Sequence, residues 1–190
     1  MKQLEERILR DGSVSSGNIL KVDSFLNHQI DPAFMYSMAQ EIKRLFEGEQ
    51  IDKILTVEAS GIAIAVMAGY VMELPVVFAK KSKTLNISGD VYSAEVYSFT
   101  HKNVNTVTVG KKRLSAGERI LIVDDFLANG AALEGLCSLI EQAGAVAVGA
   151  AIAIEKAFQQ GGDRLREKGL RIESLARIGG MSDDGISFLP

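Results

Sequence analysis

The sequence predicts an α/β domain with a mostly parallel central sheet and helices on both faces, and three observations carry that reading. Short segments that are apolar on both faces recur at residues 51–57, 74–79, 119–123 and 146–154, as expected for strands buried on both sides. Helical patterns separate them at 62–72 and 131–143, and such alternation implies right-handed parallel crossovers. The 190 residues, 47% hydrophobic and 24% charged, fit one domain with a sizeable core and exclude a disordered or fibrous chain.

Taken in order, Leu4, Ile8 and Leu9 form a short amphipathic helical stripe that stops at Asp11-Gly12. A second helix is better marked. Asp31 is a good N-cap, Pro32 suits the first helical position, and Phe34, Met38, Ile42 and Leu45 recur at helical spacing until Gly48. The strand at 51–57 leads through Ser60-Gly61 into the small-residue helix 62–72, and 74–79 is the next strand. The interval 80–114 breaks this rhythm. It opens on Lys80-Lys81-Ser82-Lys83, runs through Gly89 without helical period, and alternates at 94–99 and 106–109. That pattern predicts a β-hairpin projecting from the sheet: a lid or binding loop, or simply a surface hairpin.

Charge and cysteine content exclude several functions. Twenty-one basic against 24 acidic residues give a net charge of -3, so the surplus that a general nucleic-acid binder needs is absent, although a local basic patch stays possible. The N-terminus alternates charges without a signal-peptide core, and the longest apolar stretch, 145–154, is far short of the ~20 residues of a membrane span. A cytoplasmic protein without membrane contact is expected. The single cysteine, Cys137, rules out an internal disulfide or a multi-cysteine zinc site and reads as a packed helix residue. No G-x-G-x-x-G follows a strand, and Gly161-Gly162 lies in a later loop, which excludes a dinucleotide-binding Rossmann unit.

The strongest signal is Ile120-Leu121-Ile122-Val123-Asp124-Asp125-Phe126-Leu127-Ala128-Asn129-Gly130-Ala131-Ala132. A buried strand runs into two carboxylates and then into a small-residue turn that opens a helix. Carboxylates at the C-terminal end of a strand lie where open α/β sheets bind ligands. A helix N-terminus with small side chains offers backbone N–H groups to a phosphate. Acids beside a phosphate seat repel it unless they have another task, such as accepting from ribose hydroxyls or holding Mg²⁺ through water.

This run resembles the 5-phosphoribosyl 1-diphosphate (PRPP) signature of the type I phosphoribosyltransferases. Phe126 stands where an aliphatic residue is usual, and Asn129 where Thr or Ser is usual. Three segments together, Lys21-Val22-Asp23-Ser24-Phe25-Leu26-Asn27-His28-Gln29-Ile30 with Asp31-Pro32, residues 123–132, and Ile154-Glu155-Lys156 with Phe158, are similar to the xanthine-using bacterial branch. The likeness extends from Leu20 to Phe188. It implies a single phosphoribosyltransferase domain over 1–190, with a small hood, mainly 1–30 plus a C-terminal segment, and a flexible β-hairpin lid at about 80–114.

The resemblance also implies roles. Asp124 and Asp125 would be the catalytic pair on the ribose hydroxyls. Ala128, Asn129, Gly130, Ala131 and Ala132 would hold the 5′-phosphate, and Glu58, Ala59, Ser60 and Gly61 the diphosphate, with Gly61 permitting an unusual backbone conformation. Leu20, Asn27 and Lys156 would bind the base: Lys156 at the oxygen on purine position 6, Asn27 at xanthine's extra oxygen. The hypoxanthine–guanine branch carries an acid at the position of Ala128; xanthine, more acidic, has less need of one and suits Lys156. Phe126 or Phe158 either stacks on the base or packs in the core. Of the two histidines, His28 belongs with the hood and His101 with the lid. The implied reaction is purine salvage, a glycosyltransferase step from xanthine and PRPP to xanthosine 5′-monophosphate (XMP) and diphosphate. Mg²⁺ would be bound mainly through the diphosphate, with no dedicated protein metal ligands, and the enzyme would be a homodimer. Broader use of hypoxanthine and guanine, or a PRPP-sensing regulator, are the alternatives.

Overall fold

The computed structural model describes residues 1–15, 19–81, 90–98, 103–182 and 185–190. Helix α1 (Lys2–Asp11) leads into a two-stranded antiparallel ribbon, β1 (Ser13–Ser15) and β2 (Ile19–Lys21), then a π-helical turn at Asp23–Asn27 and helix α2 (Pro32–Leu45). The Asp31 carboxylate accepts the Phe34 N–H at 3.1 Å, the N-cap expected from the sequence. Strand β3 (Lys53–Val57), helix α3 (Gly61–Met72) and strand β4 (Val76–Ala79) follow. Then come the hairpin β5 (Val91–Ser98) and β6 (Asn103–Gly110), strand β7 (Arg119–Leu127), helix α4 (Ala131–Gln142), strand β8 (Val146–Lys156), helix α5 (Gly161–Glu167), and strands β9 (Ile172–Ser182) and β10 (Gly185–Phe188).

The central sheet has the order β10-β9-β8-β7-β3-β4. Its strands β4, β3, β7, β8 and β9 are parallel and β10 closes one edge antiparallel. Alternation along β7 assigns its two faces. Leu121 and Val123 join Leu4, Ile8, Phe25, Met38, Ile42 and Ile64 in a core under α1, α2 and α3. Ile120 and Ile122 join Leu133, Leu136 and Leu139 of α4 in a second core on the opposite face. Together these cores fix where each strand ends, and the strand ends make the site.

Several expectations need correction. Strand β7 continues past residue 123 to Leu127, because β8 runs beside it to Lys156 and pairs Asp124 with Ile152, Phe126 with Ile154 and Leu127 with Glu155. The two acids therefore belong to the strand. In α1 only Leu4 and Ile8 are buried; Leu9 is 58% exposed. Helix α2 ends at Leu45, and Gly48 turns with φ +86° in the loop beyond. The hairpin does not simply project. Val96, Val107 and Val109 are buried in the α4 core, Gly135 of α4 leaves no room for a Cβ beside Val96, and Lys80 and Thr108 exchange backbone hydrogen bonds at 2.9 Å. Ser82, Lys83, Gly89 and His101 lie outside the described residues. Cys137 is half-buried, and burial pushes its thiol up to about 11, so it packs rather than reacts. No helix among the described residues is long and apolar enough to cross a membrane.

Candidate active site

The ends of β3, β7 and β8 bring most of the expected residues to one edge of the sheet. Asp124, near the end of β7, is 7% exposed. It lies over the first turn of α3 because Gly61 has no side chain: a Cβ there would collide with Asp124 Oδ1 and Thr56 Oγ1. Gly61 does not adopt the unusual backbone conformation expected of it. It is absent from the positive-φ glycines, so close approach, not unusual backbone, is what requires it. Asp124 Oδ1 accepts the Asp125 N–H at 3.0 Å. Burial and the adjacent Asp125 charge push the Asp124 carboxyl well above the usual carboxylate range. Burial also raises Asp125, against hydrogen bonds from Asp124, the backbone and the Asn27 side chain. The pair titrates as a unit in which Asp124 holds its proton longer.

Asn27 ends the π-helical turn, and its side chain lies close enough to Asp125 to favour that carboxylate's charged form. The base-binding and ribose-binding candidates thus meet. What holds this turn in place was not legible in the sequence. The Arg7 guanidinium of α1 lies 5.1 Å from the centre of the Phe25 ring and 5.4 Å from that of Phe34, and it donates to Asp31 at 3.1 Å. Leu20 is 6% exposed and packs with Val22 and Phe25 inside this region.

Between β7 and α4, Ala128, Asn129 and Gly130 form a tight loop. Gly130 has φ +86°, the left-handed region that only glycine enters at low cost. Asn129 Oδ1 accepts the Ala131 N–H at 3.0 Å, so the residue that replaces the usual hydroxyl closes an Asx turn just before Gly130, the N-cap of α4. The turn after β3 carries Glu58, Ala59 and Ser60, and its Glu58–Ala59 peptide is cis. Glu58 Oε1 accepts the Lys81 N–H at 2.6 Å, and the Lys81 charge acts on Asp124. Lys81 stood out in the sequence only as part of a basic run. Lys156 ends β8 half-buried, its ammonium 5.8 Å from the centre of the Phe126 ring, and burial lowers its pKa. Phe158 packs against the α1–α3 core.

No three His, Cys, Asp or Glu side chains gather into a metal cage among the described residues. A separate cleft of about 1270 Å³ lies between α2 and α3, lined by residues such as Tyr36, Lys43, Phe46 and Tyr70, and contains none of the residues above.

Residues 26–173 match the phosphoribosyl transferase domain. The chain belongs to the phosphoribosyltransferase family. The domain match takes in every residue of this edge, with Leu20 just outside it. The chain is 52% identical over 189 residues to the xanthine phosphoribosyltransferase of Limosilactobacillus reuteri, covering 100% of this chain and 99% of that one. It is 51% identical over 189 residues to the xanthine phosphoribosyltransferase of Bacillus cytotoxicus, covering 100% and 96%. Among solved structures, the adenine phosphoribosyltransferase of Rhodothermus marinus superposes with a TM-score of 0.78 at 20% identity over 93% of this chain and 99% of that chain. That of Thermoanaerobacter pseudethanolicus gives 0.75 at 22% identity over 92% and 99%. These likenesses show the fold: a phosphoribosyltransferase core whose parallel strands bring Glu58 just after β3, Asp124 within β7 and Lys156 at the end of β8 to one edge.

Proposed function

We propose that the chain transfers the phosphoribosyl group of PRPP to xanthine, forming XMP and releasing diphosphate. The observation that carries this is the meeting of three subsites on one sheet edge: the acid pair on β7, the glycine-opened loop before α4, and Lys156 with Asn27 at the base side. The 5′-phosphate takes N–H groups of the 128–132 loop, that of Ala131 once it exchanges Asn129 Oδ1 for a phosphate oxygen, and the positive end of α4. Asp124 and Asp125 accept from the ribose hydroxyls, which replaces the Asn27 contact on Asp125 and leaves the Asn27 amide for the base. Lys156 faces the oxygen on purine position 6, where an anionic xanthine places negative charge.

Chemistry then consists mainly of orientation and charge. The bond from ribose C1 to the diphosphate oxygen breaks, positive charge develops on the ribose, and a purine nitrogen supplies the electron pair for the new bond. Glu58, Ala59, Ser60 and Gly61 seat the departing diphosphate, with Lys81 beside them. Mg²⁺ fits as a companion of the diphosphate. Two neighbouring carboxylates are the donor set that a hydrated Mg²⁺ uses together with substrate phosphates, and it would neutralise leaving-group charge there. The segment at about 80–114, anchored through Val96 and Val107, would exclude water.

The reading extends to assembly and location. Val66 and Tyr70 on α3 and Phe78 on the edge strand β4 are 53%, 75% and 40% exposed. Exposed apolar side chains of this size support a homodimer, and a salvage step with water-borne substrates supports a cytoplasmic enzyme. An assay of diphosphate release with PRPP, Mg²⁺ and each purine in turn tests the assignment; turnover requires PRPP and favours xanthine.

A further inference from the structure

The adjacent glycines Gly161 and Gly162 open α5, and each marks a contact. Gly161 lies flush against the phosphate loop: a Cβ there would collide with the Ala128 carbonyl oxygen, the Asn129 carbonyl carbon and the Gly130 nitrogen. Gly162 lies against the Glu155 carboxylate, whose Oε1 would likewise collide with a Cβ. One turn on, Arg164 Nη2 donates to the Asn129 carbonyl at 2.8 Å and lies 3.5 Å from Glu134 Oε1 in the first turn of α4. Leu165 supports Gly130 from the same side.

A seven-residue helix has little stability of its own, and α5 is held by charge. Arg166 donates twice to Glu155, at 2.8 and 2.7 Å. Glu155 is fully buried and also accepts from Ser174 Oγ at 2.6 Å and Arg177 Nε at 3.2 Å. Burial opposes its charge, but Arg166, Ser174 and Arg177 outweigh that and hold its carboxyl below the usual range. Glu155 precedes Lys156 on β8. The same short helix therefore grips the strand that carries the base lysine and the loop that would hold the phosphate.

We propose that Arg164 is a positioning residue for the 5′-phosphate, acting through the peptide between Asn129 and Gly130. The carbonyl it binds and the Gly130 N–H belong to one planar unit and point in opposite directions. Holding the carbonyl toward α5 turns the N–H toward the ligand side of the loop. A cation on the carbonyl also polarises that N–H and makes it a stronger donor to an anion. This rests on the reading of residues 128–132 as the phosphate seat.

The test compares wild type, Arg164→Ala and Arg164→Lys by calorimetric titration with ribose 5-phosphate, and by separate KM values for PRPP and xanthine. Loss of one charge-assisted hydrogen bond at a half-exposed arginine weakens ribose 5-phosphate binding and raises the PRPP KM by about tenfold. The xanthine KM stays within about twofold, because the loop does not touch the base, and Arg164→Lys recovers much of the loss by donating to the same carbonyl. Unchanged ribose 5-phosphate binding in Arg164→Ala, an equal rise in both KM values, or no recovery with lysine overturns the proposal. If Arg164→Ala does not fold, Arg164→Gln, which removes the charge but keeps the side-chain length, takes its place under the same criteria. Wild type that fails to bind ribose 5-phosphate would instead overturn the phosphate seat itself.

Discussion

The Asp124 carboxylate occupies the space that a side chain on Gly61 would fill. A glycine on the diphosphate turn thereby sets the position of an acid on a different strand. Gly61→Ala should push Asp124 off its place and lower kcat/KM by roughly 10²-fold, the scale of an ångström-sized misplacement, while the fold persists. Near-normal activity in that variant would show that the close approach is incidental.

Asp125 is the less buried member of the pair and the one that Asn27 approaches. Asp125→Ala should reduce turnover by roughly 10²–10³-fold, as when a site loses an aligned electrostatic contact, with an unchanged circular dichroism spectrum. A fully active variant contradicts its assignment to the ribose.

Asp124 gives a pH prediction. Its folded pKa is raised by burial and by Asp125, so the folded state binds the proton more tightly than the unfolded chain. The fold is therefore favoured below the ordinary value of 3.8 and loses that contribution as pH rises through the raised folded value. Asp124→Asn removes the charge. At neutral pH it should gain about 1 kcal/mol, seen as a melting temperature roughly 2–4 °C higher in a domain of this size, together with a loss of activity. The gain should vanish on acidification. A variant that melts lower than wild type at neutral pH would show that Asp124 is stabilised as an anion.

Lys156 is disfavoured as a cation by burial, so the xanthine KM should rise as pH increases through its lowered pKa. Lys156→Arg, which keeps its charge, should push that alkaline limb upward, and Lys156→Met should raise the xanthine KM about tenfold or more while changing the PRPP KM far less. An alkaline limb that is the same in Lys156→Arg assigns the titration to xanthine itself.

Much of the site was legible because its sequence is local. One apolar strand, two acids and a small-residue turn are contiguous from Ile120 to Ala132, and their chemistry does not depend on distant partners. The end of β8 was legible for the same reason. Residues after Lys156 were not. Strand β9 carries Glu173, Ser174, Arg177 and Gly179-Gly180, which breaks the apolar pattern because Ser174 and Arg177 serve the buried Glu155. The hairpin alternates as a hairpin should, but its docking through Val96 and Val107 depends on α4, a long-range packing that no local pattern records. Arg7 and Arg164 are charged residues in helices, where the default is a solvated face; only their partners, Phe25 and Phe34 or the Asn129 carbonyl, give them meaning.

Xanthine is the base this phosphoribosyltransferase takes. The most direct measurement is kcat/KM for nucleotide formation from PRPP and Mg²⁺ with xanthine, hypoxanthine and guanine, in wild type and in Asn27→Ala. Xanthine should be preferred in wild type. The variant should lose roughly 10- to 100-fold with xanthine, the worth of one buried hydrogen bond to its extra oxygen, and little with hypoxanthine. Guanine or hypoxanthine preferred by wild type, or an equal loss for all three bases in Asn27→Ala, would contradict the account.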